Sequence, residues 1–221
     1  MSSPLTLTGR LDDRPSRWLW LLKMFAAVPH FVVLTALAAA FLALTAVAGV
    51  AILATGRYPR ALFDVNVGIL RWNWRVGFYV YAALGTDRYP PFTLRAVAYP
   101  AELDVAYPER LSRGLVLAKG LLAAPHLVIV ALIVLDIVRY PIPTSTAAAE
   151  VLSPGGYSVL NLLVVVAGAF LLITGSYPRP LFELLMGVNR WIYRVVVYVA
   201  FMSDDYPPFR LDAGAVEAVR S

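Results

Sequence analysis

The sequence contains no cysteine and only two histidines among its 221 residues. The first absence excludes disulfides, zinc–thiolate and iron–sulfur sites, and covalent cysteine catalysis. The second leaves little from which to build any other metal centre. Charge is scarce too: 15% of residues are charged and 60% are hydrophobic, for a mean hydropathy of +0.70. A soluble globular domain does not carry that balance. No glycine-rich phosphate loop, zinc-finger spacing or RNA-binding signature is present, so nucleic acid is not an expected partner. Nor is there a nucleophile–base–orienter set or an acidic pair in a polar pocket. The chain therefore reads as non-enzymatic, with no metal and no cofactor. The segment ahead of Trp18 holds Arg10, Asp12, Asp13, Arg14 and Arg17. It has no cleavable signal pattern, which leaves the first apolar segment as an uncleaved anchor.

What the sequence does have, it has twice. Lys23 and Pro29-His30 return as Lys119 and Pro125-His126. Thr55-Gly56-Arg57-Tyr58-Pro59-Arg60 returns as Thr174-Gly175-Ser176-Tyr177-Pro178-Arg179. Arg71-Trp72 and Arg75-Val76 return as Arg190-Trp191 and Arg194-Val195, and Tyr89-Pro90-Pro91-Phe92 as Tyr206-Pro207-Pro208-Phe209. One structural unit is used twice, in repeats spanning 1–98 and 99–221.

The copies differ in length. Lys23 to Thr55 is 32 steps, whereas Lys119 to Thr174 is 55. The extra residues include Tyr140-Pro141-Ile142-Pro143 and Ser153-Pro154-Gly155-Gly156, which are turn signals. Irregular backbone of that kind must sit outside the hydrocarbon, so an insertion near 139–157 splits the second copy into two legs. Homology extends the split to 17–55, as a hairpin turning near Ala38–Leu42. The alternative is one long kinked helix, because Ala38-Ala39-Ala40 carries no turn signal. Legs of about 17–20 residues, roughly 26–30 Å, barely cross a bilayer. The expected fold is thus an all-α membrane protein. It has two tandem repeats, each a transmembrane helical hairpin followed by an amphipathic interfacial helix, with about four transmembrane helices. Hairpins place Arg10–Lys23, Arg57, Arg60, Arg110–Lys119 and Arg179 on one side. The positive-inside bias makes that side, and both termini, cytoplasmic in a multi-pass protein of the cell membrane.

After each Tyr-Pro pair the character changes. Asp64, Gly68, Arg71, Arg75 and Tyr79 are spaced 4, 3, 4 and 4, and Glu183, Gly187, Arg190, Arg194 and Tyr198 repeat that spacing. At about 100° per residue each set falls within an arc of roughly 80°, a polar stripe on an otherwise apolar helix. Two placements fit 61–84 and 181–202. They lie in the cytoplasmic interface with the stripe towards headgroups, or they cross with their arginines hidden in the protein. Arg71 and Arg75 are like charges at i,i+4, so an anion should bridge them. That anion is a lipid phosphate, a partner carboxylate, or an acid such as Asp87, Asp204 or Asp205. Paired guanidiniums suit phosphate; a solvated face with no defined ligand is the plain alternative.

His30 follows Lys23 by seven residues on one helical face, with Pro29 kinking the leg between them, and His126, Lys119 and Pro125 repeat this. An imidazole inside an apolar segment needs a partner, such as a helix carbonyl or the arginine stripe. Two histidines meeting across the repeats could instead hold haem or a transition metal, and a proton relay is a third use. The Tyr-Pro-Pro-Phe segments read as extended straps anchored by their aromatics at the interface. The linker 93–112 reads as ordered but irregular.

The succession Pro-His, Thr-Gly-x-Tyr-Pro-Arg, Arg-Trp-x-x-Arg-Val and Tyr-Pro-Pro-Phe resembles a bacterial membrane-protein family known as domain of unknown function 4389. The resemblance covers nearly the whole chain, twice over. The second copy departs by Ser176 in place of Arg57 and by its insertion. The family implies an integral membrane protein and supplies no activity. The expected role therefore rests on the stripe: an anionic-lipid-binding accessory subunit or membrane scaffold. Arg71, Arg75, Arg190, Arg194, Lys23 and Lys119 would meet phospholipid. His30, His126, Asp64, Glu183, Tyr79 and Tyr198 would be structural polar groups in the membrane. Self-association or membership of a larger membrane complex fits such a role. Short hairpins with interfacial helices could also bend a membrane by occupying more of one leaflet. The alternatives are a carrier or channel for an anionic or lipidic solute, and a haem or metal protein.

Overall fold

The computed structural model describes residues 3–134 and 158–211, so the insertion near 139–157 lies outside the described residues. The order is β1 (Leu5–Gly9), α1 (Leu19–Ala26), α2 (Val28–Thr55), α3 (Arg60–Tyr79), β2 (Ala101–Val105), α4 (Arg113–Leu122), α5 (Ala124–Val134), α6 (Val159–Thr174) and α7 (Arg179–Val199). The chain is mostly helical, as expected, but two features correct the expected fold.

The first concerns 17–55, which is not a hairpin turning near Ala38–Leu42. Val28–Thr55 is one uninterrupted helix. Alanine is the strongest helix former and nothing at 38–42 opposes it. The first stop is Gly56, whose φ of 73° is the left-handed cap that glycine adopts freely. Pro29 sits in the first turn of α2, where proline is tolerated, and the break falls at Ala27. In the second repeat α4 and α5 bend by 49° across Ala123. Among the described residues α2 alone is long and apolar enough to cross a membrane, or two spans exist if α4 and α5 count as one. Four were expected.

The second correction is a sheet. Leu5-Thr6-Leu7-Thr8-Gly9 and Ala101-Glu102-Leu103-Asp104-Val105 alternate inward and outward residues and pair antiparallel, Leu7 opposite Leu103. The offset of 96 that relates Lys23 to Lys119 also relates Leu7 to Leu103. The ladder is therefore twofold about that pair, with one strand from each repeat. Part of the linker that read as irregular is β2.

The sheet and α2 hold α3 between them. On one side Gly68 abuts Leu94, Arg71 reaches the Leu103 carbonyl, and the Trp74 Nε1–H donates to the Thr8 carbonyl at 3.0 Å. On the other, Asn66, Trp72 and Val76 meet Thr45, His30 and Leu34 of α2. Thirteen of the 20 residues of α3 are buried. The repeats also interlock. Arg71 ties repeat one to β2 and Arg190 ties repeat two to the Leu7 carbonyl of β1. Trp20 of α1 packs on Gly168 of α6, while Arg113 of α4 lies over Gly56 after α2.

These ties hold both ends of α2 on the sheet's side. The Leu111 N–H donates to the Gly56 carbonyl at 2.9 Å, six residues beyond β2. At the other end Lys23 pairs with Asp87, and the Tyr89 hydroxyl donates to the Ala26 carbonyl. The Asp87 N–H and the Thr86 hydroxyl bind in turn to Asp12, three residues beyond β1.

Candidate functional site: two lysine nodes and the arginine ties

Each repeat gathers its motifs at one node, where the first helix breaks and the Tyr-Pro-Pro-Phe strap returns. Lys23, 1% exposed, has its ammonium 2.9 Å from Asp87 and donates to the Thr86 carbonyl at 2.7 Å. Lys119, also 1% exposed, has Asp204 at 2.8 Å and the Ser203 carbonyl at 2.8 Å. Each ammonium lies 5.1 Å from a ring centroid, Tyr79 or Tyr198. Burial pushes the Lys23 ammonium below the usual lysine range, and Asp87 draws it part of the way back. Asp87 and Asp204 thus serve the lysines, not the arginine stripe.

The histidines sit in aromatic cages beside these pairs. His30 stacks on Phe92 at 3.9 Å and His126 on Phe209 at 3.8 Å, with interplanar angles of 13° and 15°. Tyr89 and Trp72 flank the first ring, Tyr206 and Trp191 the second. The partner expected for His30 was a helix carbonyl or the stripe; instead the Trp72 Nε1–H donates to Nδ1 at 3.1 Å, and the strap carbonyl of Pro90 lies on the ring as well. The indole bond makes Nδ1 the acceptor and leaves the proton on Nε2. The strap aromatics clamp histidines as well as lining the surface. The tyrosines reach back to equivalent carbonyls, Tyr89 to Ala26 at 2.9 Å and Tyr206 to Leu122 at 3.2 Å.

The stripe splits. Asp64 and Glu183 are exposed at the start of their helices, and Asp64 pairs with Arg60 at 3.2 Å. The arginines face protein. Arg71 donates to the Leu103 and Leu94 carbonyls and to Asp104, at 3.0–3.2 Å. Arg75 donates to the Thr93 and Arg95 carbonyls at 3.1 and 2.7 Å. Arg190 is fully buried and bound to Leu7, and Arg194 lines a cavity of about 290 Å³ with Ser3, Leu5 and Tyr206. Strand and strap carbonyls stand where a phosphate was expected, a use that spacing alone could not disclose.

A basic collar sits elsewhere, at the end of α2. Arg57 and Arg60 follow Gly56, and Leu111 brings Arg110 and Arg113 beside it; all four are exposed. Arg10, Arg14 and Arg179 line the matching region of the second repeat, with Gly175 and Ser176.

The family model described as domain of unknown function 4389 matches residues 17–93 and 156–210, and the chain belongs to that family, in two copies. The matched stretches contain the whole first node, both straps and both arginine pairs, while Lys119 and His126 of the second node lie between them. No curated protein and no solved structure matches the chain.

Proposed function

We propose, on the premise of membership of that family in two copies, that the protein is a non-enzymatic membrane scaffold or accessory subunit. In this reading it is embedded from the side that carries its sheet and binds anionic lipid at the rim. The observation that carries this is the contrast between its two faces. Over its most apolar 18-residue window α2 is only 11% buried, with Leu42, Val47 and Val50 more than half exposed. A core helix of a soluble protein would be covered, and exposed apolar surface of this extent calls for lipid. The opposite face presents Thr6, Glu102 and Asp104, which belong in water.

The ties at both ends of α2 favour a helix lying within the membrane over one that passes through it. Six residues of extended chain span about 20 Å, short of a bilayer's roughly 30 Å core. The Gly56 end therefore stays on the side of β2, and the Lys23 end stays with Asp12. This replaces the multi-pass first repeat with one that enters and leaves on a single side, cytoplasmic by its arginines. Apolar helices inserted from one side expand that leaflet, which suits a scaffold of curved membrane.

Anionic lipid fits the exposed collar of Arg57, Arg60, Arg110 and Arg113 better than the stripe, where Arg71, Arg75 and Arg190 donate to carbonyls inside the protein. Replacing the four collar arginines with glutamine should sharply lower the anionic phospholipid that copurifies, read by native mass spectrometry, without loss of folding. Unchanged anionic lipid would remove this reading. The carrier alternative needs the two stripes to face each other, and the carbonyl contacts of Arg71, Arg75 and Arg190 give it no support.

A further inference from the structure

On the side of α3 away from the sheet, the repeats enclose an apolar groove of about 440 Å³, within the usual size of a ligand pocket. Phe41 and Leu42 of α2, Val134 of α5 and Ile192 of α7 form its walls, and Asn73 and Tyr193 lie on its floor. The Asn73 Oδ1 accepts from the Tyr81 hydroxyl at 3.1 Å and the Tyr193 hydroxyl at 2.8 Å. With both hydroxyls donating, the oxygen end of the amide is taken up. Its nitrogen, carrying two donors, has no acceptor among the described residues. The offset of 119 that relates Arg71 to Arg190 pairs Asn73 with Ile192, so the donor occurs on one wall only.

We infer that this groove binds one uncharged lipid bearing an ester or ketone oxygen, which accepts from the Asn73 amide. The inference rests on the embedded reading above. The mouth is flanked by Leu42, 69% exposed, and Val134, 40% exposed, so it opens onto the apolar face. An amide without an acceptor is costly there, and water is not available to it. A hydrocarbon chain fills the walls but leaves the amide unpaired, and a charged headgroup has no counter-ion in the lining. An acceptor oxygen on an apolar chain meets both demands.

The test is saturable retention of radiolabelled dioleoylglycerol by the purified full chain, with squalene as the oxygen-free control. Wild type should retain about one dioleoylglycerol per chain and little squalene. Asn73→Leu should weaken retention at least about tenfold. Ile192→Trp, which fills the groove from the opposite wall, should abolish it while leaving thermal unfolding close to wild type. Equal retention of squalene, undiminished retention by a folded Asn73→Leu protein, or no saturable binding would each overturn the inference. Binding that appears only on removal of 139–157 would assign the groove to the chain itself and overturn it too. Aqueous maleimide labelling of Val50→Cys in intact membranes separates the two levels. Labelling there sinks the embedded reading, whereas a protected Val50→Cys with no lipid bound sinks only the groove.

Discussion

The two repeats answer the same structural demand with unequal means. Both keep a buried lysine–aspartate pair, a histidine stacked on the strap phenylalanine and a tyrosine tied to a carbonyl. Both histidines face a strap carbonyl, Pro90 or Pro207, but only the first cage adds an indole: the Trp72 N–H has His30, whereas the Trp191 indole nitrogen has no partner among the described residues. Only the first runs α2 without interruption, where the second has α5 and α6 with the insertion between. What survives in both copies is the fastening of strap to helix break, which marks the nodes as joints of the fold.

The comparison can be broken hardest at the ion pairs. Asp87→Asn and Asp204→Asn each strand a buried ammonium and should cost about 3–5 kcal/mol in denaturant unfolding in detergent. Lys23→Met combined with Asp87→Leu should recover much of that loss, since an apolar pair of similar volume leaves no stranded charge. If the single variants were silent, the lysines would not be buried as described.

Arg71→Gln and Arg190→Gln come next. Each removes charge-assisted bonds that join one repeat to the other's strand, worth about 1.5–3 kcal/mol apiece. Hydrogen exchange at Leu7 and Leu103 should rise in both variants, and faster exchange elsewhere with a protected sheet would contradict the tie.

The histidines sharpen the contrast. His30→Phe strands the Trp72 N–H and should cost about 1–3 kcal/mol. His126→Phe exchanges one stacked ring for another and should cost less than about 1 kcal/mol. Equal costs would mean that the asymmetry of the cages has no energetic content. The smallest effect is expected of Ser176→Arg, which restores at the second copy the arginine of the first. On an exposed site it should change stability by under about 0.5 kcal/mol while raising retention on anionic vesicles.

Much of this was legible in the sequence, for identifiable reasons. The duplication, the helix stop at Gly56 and the restart after Pro59 are local signals, and the fold uses them as such. The Lys-to-His spacing does not mark one helical face, because a break at Ala27 or Ala123 puts the lysine and the histidine on successive helices. The sheet was legible but missed: Leu5–Gly9 and Ala101–Val105 alternate cleanly, yet five residues beside long apolar runs make a weak signal. The first copy forms no hairpin because its unbroken alanines continue the helix where homology across an insertion implies a turn. The arginine partners were not legible at all, since backbone carbonyls leave no mark in a sequence. Neither was the Asn73 amide, whose meaning depends on Tyr81 and Tyr193 arriving from elsewhere.

The central claim is that the sheet faces water while the apolar helices, α2 included, lie in lipid. Single cysteines at Glu102 and Val50, in a chain that has none of its own, test it directly in intact membranes. The account predicts that aqueous maleimide labels Glu102→Cys from the cytoplasmic side and leaves Val50→Cys unlabelled until detergent is added. Labelling of Val50→Cys without detergent, or protection of Glu102→Cys from both sides, would contradict it.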